Sequence, residues 1–122
     1  MTAKAELKPT LQAGLSRLGI DASEEQLDLL ERYLHELARW NQTYNLTAVR
    51  AINEMVVRHI LDSASIHAWV EGNRILDVGT GAGLPGVVLA VLNPQRHVVL
   101  LDSAGKKVRF LRQKLSGRSD VF

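Results

Sequence analysis

Leu76-Asp77-Val78-Gly79-Thr80-Gly81-Ala82-Gly83-Leu84-Pro85-Gly86 is the stretch on which the fold turns. Ile75 to Val78 is a short β-type run, and it enters a turn with glycine at every second position. Glycine admits positive φ and carries no side chain, so a ligand can lie against the backbone of such a turn. Pro85 suits the first turn of a helix, where its missing N–H has no partner to lose. Amide groups at that helix start favour negative charge. The alternative is a tight turn that binds nothing.

Downstream, the helix runs to about Leu92 and stops at Asn93-Pro94. His97-Val98-Val99-Leu100-Leu101 is a second apolar, branched strand closed by Asp102, and Ser103 caps a further helix with Val108, Leu111 and Leu115 inward. Upstream the period is helical. Leu7, Leu11, Leu15 and Leu18 mark an amphipathic helix over residues 4–18, ended by Gly19. Ser23-Glu24-Glu25-Gln26 is a capping box opening a second helix to about Trp40, and the polar residues 41–45 read as a loop. Asn53 is placed to cap a third helix that extends in some form to Trp69, before a turn at residues 71–73.

The order is therefore three helices, then β-α-β-α. Near-continuous apolar strands joined by helices imply parallel pairing and an α/β fold. We expect a helical extension over residues 1–72 and, over 73–122, the first part of a Rossmann-like domain. Two parallel strands leave two open edges, and such sheets have more strands, so the unit reads as truncated or as frame-shifted near Leu115.

Two ligand classes suit the glycine turn. The dinucleotide fingerprint needs glycine where this chain has Leu84. Asp77 lies two positions before Gly79, where a carboxylate would repel a pyrophosphate but suits the ammonium and sulfonium of S-adenosylmethionine. Asp102, at the end of the second strand, stands where an acidic residue grips ribose hydroxyls in either class.

Composition is that of a globular chain, with 46% apolar and 23% charged residues. No apolar run approaches a membrane span, the first residues lack a secretory pattern, and cysteine is absent, so a cytoplasmic address is expected. Net charge is only +2, yet Arg96, Lys106, Lys107, Arg109, Arg112, Lys114 and Arg118 face only Asp102 and Asp120 over the last part of the chain. That basic end either meets phosphate or is a solvated helix face. His35, His59, His67 and His97 have no ligand-like spacing, so no metal is expected.

Four blocks carry a resemblance: residues 40–47 (Trp-Asn-Gln-Thr-Tyr-Asn-Leu-Thr), 58–63 (Arg-His-Ile-Leu-Asp-Ser), the glycine motif at 77–86, and Leu101-Asp102-Ser103 followed by 105–111 (Gly-Lys-Lys-Val-Arg-Phe-Leu). In this order they resemble the N-terminal portion of the ribosomal RNA small subunit methyltransferase G family, also called glucose-inhibited division protein B. The resemblance implies a Rossmann-like domain behind a helical extension, S-adenosylmethionine as cofactor, and methyl transfer to N7 of a guanine in the 530-loop region of 16S rRNA within the 30S subunit. Gly79 and Leu84 match family positions that touch the cofactor. With the residue-level reading this gives a cofactor set of Asp77, Gly79, Thr80, Gly81, Gly83, Leu84 and Asp102. Lys106, Lys107, Arg109 and Tyr44 are the candidate RNA contacts. Guanine N7 has a lone pair and no proton, so no catalytic acid or base is expected.

His59 and Asp62, one helical turn apart, are expected to hold the extension near the glycine turn by hydrogen bonds. Trp40 and Trp69 are expected to pack the extension. Two other functions stay open on sequence: a noncatalytic remnant with weak RNA affinity, and a nicotinamide-dependent half-domain, against which Leu84 and Asp77 argue.

Overall fold

The computed structural model describes residues 7–49, 51–70, 72–78 and 83–101. The helix expected after Ser103 lies outside them, as do residues 4–6 of the first helix.

Helix α1 (Lys8–Arg17) carries Pro9 in its first turn. Its unsatisfied amides are met from elsewhere: the Leu7 and Lys8 N–H groups both donate to Glu31 Oε2, at 2.8 and 3.0 Å. Gly19, at φ 78°, ends the helix in the left-handed conformation that favours glycine. Helix α2 (Glu24–Tyr44) opens on the expected capping box: Gln26 N–H donates to Ser23 Oγ and Ser23 N–H to Gln26 Oε1. Lys8 Nζ reaches across to this helix start, to Asp28 at 2.6 Å and Glu24 at 3.1 Å.

Two expectations are corrected along this stretch. Residues 41–44 are not loop; they continue α2 to Tyr44, and Asn45 at φ 50° ends it. Their polarity misleads because Asn41 is 2% exposed and spends its amide on the backbone beyond the helix. Asn53 makes no cap either. Ala51 precedes α3 (Ile52–Met55), which passes into a π-helical segment (Val56–Leu61), a short α4 (Asp62–Ala64) and a 3₁₀ turn (His67–Trp69).

The sheet has strands β1 (Arg74–Val78) and β2 (His97–Leu101), which pair in parallel with Leu76 opposite Val99 and Asp77 opposite Leu100. Helix α5 (Gly86–Leu92) makes the crossover, and every one of its residues is buried. It packs on the strands and also against α2 and α4. Val87, Val88, Val98 and Leu100 thereby join Leu11, Leu15, Leu30, Leu34 and Leu37 in one apolar core. On the opposite sheet face Leu76 is 60% exposed, in a depression shared with Arg74, His97 and Val99. Trp69 is also corrected. It is 83% exposed and does not pack the extension, whereas Trp40 packs against the core as expected. Among the described residues no helix is long and apolar enough to cross a membrane.

Candidate functional site

The C-terminal end of β1 carries Asp77, and the end of the glycine turn brings the chain back to it. Gly83 takes φ 105°, a value that side chains resist, and its carbonyl accepts from Val87 N–H at 2.6 Å. Three residues later the Gly86 N–H donates to Asp77 Oδ2 at 2.9 Å. The acidic residue of the motif thus satisfies an open amide at the start of α5 and ties the exit of the turn to the strand that enters it. Gly86 needs its hydrogen side chain. A Cβ there would sit 2.9 Å from Asp77 Oδ2 and closer still to Leu100 Cδ2.

Tyr33 on α2 is 6% exposed. Burial, and then the Asp77 charge, hold its phenol well above the ordinary tyrosine range. No sequence pattern marks Tyr33, which stands in a leucine stripe. Gly86 was visible as the last glycine of the motif, but nothing in the spacing separates a ligand-facing glycine from one that packs.

Of the residues expected to hold the cofactor, Asp77, Gly83 and Leu84 are described. They cluster at the turn, with Leu84 half-buried against the core. Gly79, Thr80, Gly81 and Asp102 lie outside the described residues, as do Lys106, Lys107 and Arg109. Tyr44, at the far end of α2, is stacked at a tilt on Trp40 with centroids 5.2 Å apart. It lies eleven residues beyond Tyr33, about 16 Å along the helix.

The other polar cluster belongs to the extension. Asn41 Oδ1 accepts from Thr47 N–H at 2.9 Å, and Asn41 Nδ2 donates to the Val49 carbonyl at 3.3 Å. Thr47 Oγ1 accepts from Val49 N–H and lies 2.8 Å from His59 Nε2. His59 therefore ties the π-helical segment to the strand of chain after α2, a structural use inside the extension. Burial lowers its pKa, against a hydrogen bond to the Arg58 backbone and the Asp62 charge, which raise it. The folded state thus favours neutral His59. The stability this gives is present above the unfolded pKa of about 6.5 and is lost as pH falls through the lower folded value. Urea midpoints should accordingly drop between about pH 7 and pH 5, and less so in His59→Gln. Parallel profiles for the two proteins would show that His59 does not carry this dependence.

Comparison with known proteins gives this geometry its context. The family model for rRNA small subunit methyltransferase G matches residues 26–118. Proteins named ribosomal RNA small subunit methyltransferase G from Acinetobacter baumannii and Acinetobacter baylyi are each 52% identical over 103 residues, covering 84% of this chain and 49% of the relative. The one from Pseudomonas syringae pv. tomato is 53% identical over the same lengths. The chain spans about half the length of the curated relatives it matches. With its glycine motif, acidic strand end and family match covering most of its length, the chain belongs to the rRNA small subunit methyltransferase G family.

Proposed function

We propose that this chain provides the cofactor-binding part of an S-adenosylmethionine-dependent methyltransferase acting on N7 of a guanine in the 530-loop region of 16S rRNA. The family match over residues 26–118 carries the reading. The site chemistry supports it. Ligands of parallel α/β sheets bind beyond the carboxyl ends of the strands, where Asp77 and the Gly83 turn lie. A carboxylate there suits a cationic ligand better than a pyrophosphate. In this proposal residues 73–122 open a Rossmann-like domain, and residues 1–72 form its helical extension.

When bound, S-adenosylmethionine supplies a methyl group on a sulfonium, open to in-line displacement by a lone pair. Guanine N7 offers that lone pair and carries no proton, so no residue here is assigned as a base. What remains for the protein is placement and the exclusion of water. Asp77 and Gly86 fix the exit of the turn. Gly79, Thr80, Gly81 and Leu84 line the cofactor, Asp102 takes the ribose hydroxyls, and Lys106, Lys107, Arg109 and Tyr44 meet RNA.

The test is transfer of labelled methyl to 30S subunits, with the label at guanine N7 of 16S rRNA. Label in DNA, protein or a small molecule and none in rRNA would sink the proposal. Retention on rRNA with no transfer would favour a noncatalytic binder. Within the site, Gly81→Val should weaken S-adenosylmethionine binding by about tenfold or more, because a branched side chain takes ligand space. Calorimetry with unchanged affinity would remove the turn from the site.

A further inference from the structure

The far end of α2 is built more firmly than a helix end requires. Asn45 at φ 50° stops the helix, and Leu46, 4% exposed, joins the core. Side chains then fix the following residues to the helix. Buried Asn41 takes the Thr47 amide and the Val49 carbonyl, while Thr47 Oγ1 takes the Val49 amide and meets His59 Nε2 at 2.8 Å. A buried amide is tolerated when its bonds are made, and these bonds hold the segment in one shape. What the frame leaves outward is Gln42, Thr43, Tyr44 and Asn45, all exposed.

Tyr44 is the aromatic member of that group. Trp40, one helical turn back and half-buried against the core, backs its ring at a centroid distance of 5.2 Å and a tilt of 32°. Even so, 38% of Tyr44 meets solvent. A ring fixed before its partner arrives loses little freedom on binding. The charge of this stretch has one sign: from Leu37 to Asn53 the chain carries Arg39 and Arg50 and no aspartate or glutamate. Arg58, beside His59, is exposed as well. A protein partner is served best by a buried apolar centre, which Gln42, Thr43 and Asn45 do not offer. A fixed aromatic ring among amides and hydroxyls, on a segment without carboxylates, is the chemistry that receives an unpaired base of a polyanion.

We propose that the end of α2 is a stacking platform for an unpaired RNA base, with Tyr44 as the contact and Trp40 as the residue that positions its ring. This deepens the RNA contact given to Tyr44 in the function proposed above and rests on that reading.

Binding is read without cofactor or methyl transfer, by fluorescence anisotropy of a labelled oligoadenylate, with an RNA duplex of equal length for comparison. Tyr44→Leu keeps apolar bulk and removes the ring. It should weaken oligoadenylate binding on the order of tenfold and leave duplex binding near the parent's. The salt dependence of affinity should stay unchanged, because no phosphate contact is lost. Tyr44→Trp should keep the parent's affinity for the single strand. Undiminished affinity in Tyr44→Leu, an equal loss on the duplex, or a parent chain that binds no oligoadenylate would each overturn the platform. In a Trp69→Phe background Trp40 is the remaining tryptophan, and its emission should change as oligoadenylate is added; constant emission would overturn the part given to Trp40. A chain that shows the Tyr44 dependence yet transfers no methyl to 30S subunits would defeat the function proposed above and leave the platform standing.

Discussion

Gly86→Ala is expected to destabilise the chain by roughly 2–3 kcal/mol. The added methyl would meet the Leu100 side chain, which is buried under α5, and Asp77 Oδ2, which is bonded to the same glycine's amide. Relief requires Leu100 to leave its packing under α5, α5 to lift from the sheet, or Asp77 to swing away, which leaves the Gly86 amide without its acceptor. Alanine gains up to about 1 kcal/mol of helix propensity over glycine, less at a helix start, and this offsets only part of the loss. Urea unfolding with an unchanged m value measures the difference. A Gly86→Ala protein as stable as the parent would show that α5 does not lie this close to β1 and β2.

Asn41→Ala should cost about 2 kcal/mol, because it strands two backbone groups. Thr47 N–H loses its acceptor and the Val49 carbonyl loses its donor, both next to a nearly sealed position. The loss spreads to His59, whose partner Thr47 sits in the segment that Asn41 holds. Asn41→Asp is no rescue, since an acceptor would then face the Val49 carbonyl and a charge would be buried. Thermal and urea unfolding of both variants checks this. A change in Asn41→Ala below about 0.5 kcal/mol would mean that water replaces the amide.

Features whose partners lie within one turn of chain could be read from the sequence. The capping box needs only Ser23 and Gln26, three residues apart, and it forms as expected. Parallel pairing of β1 and β2 followed from two apolar runs joined by an α5-sized segment, a pattern that only a crossover satisfies. The end of α2 was not legible in the same way. Asn41 is polar, and only contacts six and eight residues further on explain why a buried helix position accepts it. The π-helical segment is not legible in sequence because Val56 and Ile60 keep a spacing that an ordinary helix also has. Residue type alone points the wrong way at Trp69, since large aromatic side chains are usually buried and this one is exposed. At the site, Asp77 stood out by its place before the glycines, and its bond to Gly86 stays inside the motif. Tyr33 stands out by nothing: its burial and the Asp77 charge that bears on it come from residues far apart in the chain, and no local pattern records them.

The exposure of Leu76 on the sheet bears on the heat absorbed when the chain unfolds. The heat-capacity increment comes from apolar surface that folding had dried and unfolding wets again. Leu11, Leu15, Leu30 and Leu34 are fully dry and contribute in full. Leu76 is mostly wet while folded, as is Trp69, and neither has much left to give. The curvature of stability with temperature is therefore set by the leucines between α1 and α2 and by α5, while the outer side of β1 adds little. Leu34→Ala should flatten that curve measurably by calorimetry, and Leu76→Ala should leave it close to the parent's.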